Sequence, residues 1–204
     1  MALYRRLRLC GILMGLGLAL TAGAGCIFTP RDPEPPGQSV EYVNDSDPGN
    51  VVYNLEQALL NLDPAGYQTR LSEDFRYEPD SGTLANYPGV DWANWGYEQE
   101  VAFIQDFLGN VDGVNPNLNL ELIEGDDSGA GTEAFVRYIS AVTVESGGGE
   151  IKYRATVTME FKIDGTFWRL SRWFDEQGET DPDTGALLPT LGQRRGAFAA
   201  SGGG

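Results

Sequence analysis

The 204 residues carry 30 Asp and Glu against 14 Lys and Arg, a formal net charge of −16, with two cysteines and no histidine. A surface of that sign repels phosphate, which excludes nucleic acid as a partner and makes an anionic membrane face a poor one. The missing imidazole removes Ser-His and Cys-His nucleophile pairs, His-ligated zinc or haem, and a His proton shuttle, leaving carboxylates, Tyr, Lys and Arg for any chemistry.

Arg5, Arg6 and Arg8 precede an apolar run from Leu9 to Leu20, and the small residues Ala22-Gly23-Ala24-Gly25 lead to Cys26. Basic, apolar and small-residue regions in that order read as an export signal, its apolar part too short to span a bilayer comfortably. Ending at Cys26, the segment resembles a bacterial lipoprotein signal, with Gly23 where such signals usually carry Leu. That resemblance implies removal of residues 1–25 and lipid attachment at Cys26. With Ile27 rather than Asp next, it further implies an outer-membrane anchor facing the periplasm or the cell surface. Losing Cys10 and acylating Cys26 leaves no disulfide in the mature chain, so the core must hold by packing. Residues 26–46, rich in Pro, Asp, Glu and Ser, suit a solvated, flexible tether.

Order is expected from Asp47, with a domain over 47–176 and a C-terminal tail over 177–204. Asp47-Pro48 is a helix start: Asp caps, and Pro takes the first helical position, where its missing N–H is no loss. Val51, Val52, Leu55, Ala58, Leu59 and Leu62 then recur at helical spacing, and Asp63-Pro64 opens a second helix to about Leu71. Phe75 to Glu78 reads as a short strand, and Asp80 to Asn94 as a turn-rich loop. A third helix runs from about Gly96 to Leu108, its first-turn Glu98 and Glu100 favoured by the positive helix end. Leu118, Leu120 and Leu122 alternate as in a strand, and a loop covers Gly125 to Gly131. Thr132–Glu145, Glu150–Ile163 and Thr166–Phe174 form hairpins about Gly147-Gly148 and Asp164-Gly165. Leu187 to Phe198 is expected to pack back on the domain, and Ala199 to Gly204 to be disordered.

The first hairpin sets Val144 against Ile151, Val142 against Tyr153, Tyr138 against Val157 and Val136 against Met159. The second sets Phe161 against Trp168, Met159 against Leu170 and Val157 against Arg172. Opposed residues share a face, so both hairpins agree on one buried face.

A capped helix pair, a strand, a third helix and an antiparallel meander is the order of elements of the nuclear transport factor 2-like superfamily. The stretch Asn54-Leu55-Glu56-Gln57-Ala58-Leu59-Leu60-Asn61-Leu62-Asp63 resembles its first helix. Tyr67 and Leu71-Ser72-Glu73-Asp74-Phe75 resemble its entry into the first strand. The resemblance spans roughly Asn50 to Phe174 and implies an α+β cone: three N-terminal helices packed on a curved antiparallel sheet. It is specific for fold and unspecific for activity. The superfamily includes ketosteroid isomerase and the SnoaL-like cyclases. Laid ungapped over this chain, the isomerase pattern puts Pro79 at its catalytic Asp and Leu55 at its helix-one Tyr, so neither role is kept. Tyr53, Glu78 and Asp80 lie nearest.

Arg172, placed by the register on the buried face, must pair with a carboxylate or line a wet cavity. As an anion-recognising group it would have Tyr138, Ser140, Tyr153 and Trp168 as pocket walls and Trp92, Trp95 and Tyr97 at the mouth; plain core packing and a structural ion pair are the alternatives. Phe135, Ile139, Phe167 and Trp173 project from the opposite face among basic residues, where a homodimer would pair. Asp181-Pro182-Asp183-Thr184-Gly185 and Asn44-Asp45-Ser46-Asp47 lack the spaced Glu of a calcium loop, and no metal or cofactor is expected. Three functions remain open. The first is a non-catalytic envelope lipoprotein binding a small ligand or a protein. The second is a proton-transfer enzyme (isomerase, cyclase or dehydratase-like) with Glu78, Asp80 or Glu121 raised in pKa inside the cone. The third is an assembly module whose cone is filled by its own side chains.

Overall fold

The computed structural model describes residues 40–125 and 131–203; Cys26 and the tether up to Ser39 lie outside them. Helix α1 spans Pro48–Leu60, capped by the Asp47 side chain, which accepts from the Asn50 amide at 2.8 Å. Its Val51, Val52, Leu55, Ala58 and Leu59 are buried, as their spacing predicts. Leu62, at a φ of 53°, turns the chain into α2 (Pro64–Gln68), where Asp63 caps by accepting from the Gly66 amide at 2.9 Å. The second helix is therefore shorter than its periodicity suggests, because Leu71 already belongs to strand β1 (Leu71–Glu78).

Between Asp80 and Asn94 the chain is more ordered than its turn residues imply. Helix α3 occupies Ser81–Asn86, capped by Asp80, and a 3-10 turn covers Trp92–Asn94. Helix α4 follows at Tyr97–Gly109. Strands β2 (Gly113–Gly125), β3 (Glu133–Ser146), β4 (Gly149–Asp164) and β5 (Phe167–Gly178) form the meander, and α5 (Gly192–Ala200) closes the chain. The expected disorder from Ala199 onward is thus replaced at its start by the last turn of a helix.

One curved five-stranded sheet, ordered β1-β5-β4-β3-β2, is covered on its inner face by the helices. The meander is antiparallel, while β1 joins parallel to β5. Fold class and the register of the first hairpin agree with expectation: Val136, Tyr138, Val142 and Val144 of β3 meet Met159, Val157, Tyr153 and Ile151 of β4, although Ile151, near the hairpin end, is exposed rather than buried. Gly147 and Gly148 both have positive φ, as the two-residue turn between them requires.

The second hairpin differs. Its turn is Gly165-Thr166, so Asp164 pairs with Phe167, Ile163 with Trp168 and Phe161 with Leu170. An Asp-Gly turn of the first kind would need positive φ at Asp164, and only Gly165 adopts it. The two-residue offset preserves the faces of Trp168 and Leu170. A bulge then reverses them: Phe161 pairs with Leu170 but Glu160 with Arg172, leaving Ser171 as the extra residue, its hydroxyl donating to the Glu160 carbonyl at 3.0 Å. Beyond Ser171 the expected faces are exchanged. Arg172 lies outside, where it pairs with Glu78 at 2.6 Å and Glu160 at 2.8 Å, while Trp173 turns inward and is buried.

Candidate site at the closed mouth of the cone

The connection after β5 folds back as a small hairpin, with the Leu188 amide donating to the Glu179 carbonyl and the Arg154 amide to that of Pro189. It delivers α5 onto the helical side of the sheet. Thr190 at its start donates to Asp80 Oδ2 at 2.6 Å, the Gly192 amide donates to Asp175 Oδ2 at 3.0 Å, and Gln193 bonds both Thr83 and Asn86. Two glycines permit the close approach. A Cβ at Gly192 would lie 2.2 Å from the Tyr77 hydroxyl, and one at Gly196 2.2 Å from the Tyr87 ring.

Docked in this way, α5 drives Arg195 into the cone. Its guanidinium is fully buried and meets Glu100 with two nitrogens, Nε to Oε2 at 2.9 Å and Nη2 to Oε1 at 2.6 Å. Glu100 is held from the walls as well, by the Tyr67 hydroxyl at 3.1 Å and the Trp95 indole N–H at 2.9 Å. Aromatic rings surround the cation: Tyr77 lies 4.2 Å from it, Phe103 5.0 Å and Trp173 5.3 Å. Burial opposes the charge on Arg195, but Glu100 outweighs it, so the group stays cationic, its pKa raised well above the ordinary value. The third guanidinium nitrogen, Nη1, is buried without a hydrogen-bond partner among the described residues.

A second carboxylate lies alongside. Asp175, brought inside by the bulge, accepts from the Tyr77 hydroxyl and the Trp173 indole, each at 2.7 Å, as well as from the Gly192 amide. Burial raises its pKa, against the lowering by nearby Arg195 and by its hydrogen-bond donors. The Tyr77 hydroxyl is raised well above its ordinary value, first by burial and then by the Asp175 charge. A carboxyl and a phenol that resist ionisation, in contact and dry, can hold or pass a proton.

The cavity between the inner sheet face and α5, lined by Ser140, Tyr153, Val157, Trp173, Asp175 and Leu191, holds about 10 Å3, room for roughly one water. Clefts of about 600 and 590 Å3 flank α5 on the outside, the first floored by Tyr87, Trp95 and Phe198.

Of the residues singled out from sequence, Trp95 reaches the buried cluster directly and Trp92 stacks on it at 5.2 Å. Tyr138, Ser140 and Tyr153 lie on the inner sheet face, Ser140 donating to the Leu118 carbonyl. Trp168 is buried at the β4–β5 hairpin end, its amide donating to the Asp45 carbonyl, and Tyr97 lies half-buried, accepting from Gln68 at 2.8 Å. Arg172 is outside, as are Glu78, its partner, and Glu121. Tyr53 is exposed on α1, and Asp80 is buried as cap and latch. Phe135 and Phe167 remain exposed on the outer sheet and Ile139 half-buried there, without Trp173. Asp175 and Arg195 carry no role in the sequence reading, and Glu100 appears there only as a first-turn acid of its helix. A doubly basic Gln193-Arg194-Arg195 in an acidic chain, flanked by Gly192 and Gly196, is the one signal that could have found Arg195.

No family model and no curated protein matches the sequence. Solved structures do. A Mycobacterium tuberculosis protein of unknown function is 14% identical with a TM-score of 0.50, over 76% of this chain and 82% of its own. A Novosphingobium aromaticivorans protein proposed to be an aromatic ring hydroxylase is 13% identical with a TM-score of 0.51, over 72% and 92%. A nuclear transport factor 2-like protein of unknown function from Pseudomonas putida is 15% identical with a TM-score of 0.47, over 69% and 89%. At such identities the likeness is one of fold alone, an α+β arrangement of helices on a curved sheet.

Proposed function

We propose that this chain is a lipid-anchored envelope protein whose conical domain is a non-catalytic binding module, held shut at rest by its own C-terminal helix. The observation that carries the reading is the fully buried Glu100–Arg195 pair between α4 and α5, beside an inner sheet face where the cavity next to Asp175 holds only about 10 Å3. A buried ion pair is a poor way to stabilise a core, since apolar residues of similar volume do so at lower desolvation cost; it suits a contact that must form in one register. Hydrogen exchange on the mature protein tests the gate. The α5 amides should exchange through a local opening well below the free energy of global unfolding, whereas the β3 and β4 amides should need global unfolding. Exchange of α5 only by global unfolding would replace this reading with that of a self-filled assembly module. The anchor is tested by Cys26→Ala, which should move the protein from the membrane to the soluble fraction.

A second reading, proton transfer at an activated carbon, is favoured by Asp175, a buried carboxyl with a raised pKa that touches a phenol. It requires α5 to leave and Asp175→Asn to abolish proton exchange into a carbonyl substrate; exchange untouched by that substitution would discard it.

A further inference from the structure

We infer that the cone is a receptor for a guanidinium group, and that its ligand is an arginine side chain, which Arg195 represents in the closed state. The proposal rests on the gated reading above and adds the ligand's chemistry. Every recognition element belongs to the walls rather than to α5. Glu100 of α4 offers both carboxylate oxygens in the parallel geometry that a planar guanidinium fits and an ammonium does not. Tyr67 of α2 and Trp95 before α4 fix that carboxylate by donating to it, so it stays oriented when Arg195 leaves. Tyr77 of β1, Phe103 of α4 and Trp173 of β5 supply aromatic surface at 4.2 to 5.3 Å. Asp175 lies near enough for Arg195 to lower its pKa against the rise from burial.

The resident occupant is also incompletely satisfied. Arg195 Nη1 is buried without a hydrogen-bond partner among the described residues. Tethered through α5, Arg195 cannot shift to bond elsewhere, whereas a guanidinium on a free chain can reorient or bring a water with it. A competitor is therefore not required to reproduce a perfect fit.

Methylguanidinium is the probe, with methylurea as its uncharged counterpart, titrated into the mature chain carrying Arg195→Ala and followed by tryptophan fluorescence and by melting temperature. Saturable binding of methylguanidinium, absent with methylurea and weakened about 10- to 100-fold by adding Glu100→Gln, is the expected result, from the loss of one charge-assisted pair. Binding that Glu100→Gln leaves unchanged, or no binding, would overturn the inference. Should Arg195→Ala fail to fold, Arg195→Gln is measured in the same way. The two readings fail separately: a helix that never opens in the wild type argues against the gate, whereas an empty Arg195→Ala cone argues against the receptor.

Discussion

Arg195 and Glu100 together show how one contact can cost more when halved than when removed. Arg195→Met leaves a buried carboxylate with Tyr67 and Trp95 but no cation, and should destabilise the domain by about 3–5 kcal/mol in urea denaturation. Adding Glu100→Gln should recover more than half of that, because the amide keeps an acceptor for Trp95 and carries no charge; strict additivity would show the pair to be uncoupled. Asp175 supplies a second test through pH. Burial raises its pKa above the unfolded value of 3.8, so the folded state holds the proton more tightly than the unfolded chain. This group therefore adds stability as pH falls through its folded pKa, and adds no more below about 3.8. Asp175→Asn should lose that acid-side gain and should also lower stability at neutral pH by about 1–3 kcal/mol, since its amide would face the Tyr77 and Gly192 donors. Denaturation at pH 7 and at about pH 4, close to the unfolded value where the gain is complete, compared between the two proteins, reads both effects. None of these three residues is conspicuous in the sequence, because a Glu in the first turn of a helix and an Arg in a polar tail are what solvated surface also looks like.

Among the elements, those written by local chemistry are the ones the sequence reveals. The Asp-Pro starts of α1 and α2, the apolar stripe of α1 and the Gly147-Gly148 hairpin depend on neighbours a few residues away, and each lies where its residues place it. Strand β5 is different. Its alternation is readable up to Leu170, but the bulge at Ser171 depends on pairing with β4, and nothing within β5 announces it. That single extra residue moves Arg172 out and Trp173 and Asp175 in, which is why the sequence placed a cation on the right face of the wrong element. Helix α5 eludes periodicity for a related reason: its inward side is made of Gly192, Arg195 and Gly196 rather than of aliphatic residues. The glycines give a test of its docking. Ala at a helical position ordinarily gains about 1 kcal/mol over Gly. Gly196→Ala should instead destabilise, by roughly 1–3 kcal/mol, because the new methyl would meet the Tyr87 ring at 2.2 Å. Faster exchange of the α5 amides with unchanged exchange in β3 would locate the damage; a stabilised protein would show that the helix is free to move aside.

For the whole molecule, net charge and the outer sheet face act in opposite directions. The face carries Phe135 and Phe167, 43% and 42% exposed, with Ile139 beside them. It is also where the basic residues Arg137, Lys152 and Lys162 lie, engaged with Glu176, Asp181 and Asp74. A stable pair of subunits needs roughly 800 Å2 from each. With Trp173 turned into the core, the remaining aromatic surface is less than the alternating pattern promised. Two copies must also overcome the mutual repulsion of chains that each carry −16 in full sequence, with all 30 acidic residues beyond residue 25. That repulsion is long-ranged at low salt and reaches only about 3 Å at 1 M, while burial of Phe135 and Phe167 is not weakened by salt. A chain lacking residues 1–25 is therefore expected to be monomeric at low ionic strength and to associate as salt rises. Light scattering across that range, with Phe135→Lys as the control that should stay monomeric throughout, decides it: a dimer already present at low salt would mean that the face is held by contacts beyond these aromatic residues.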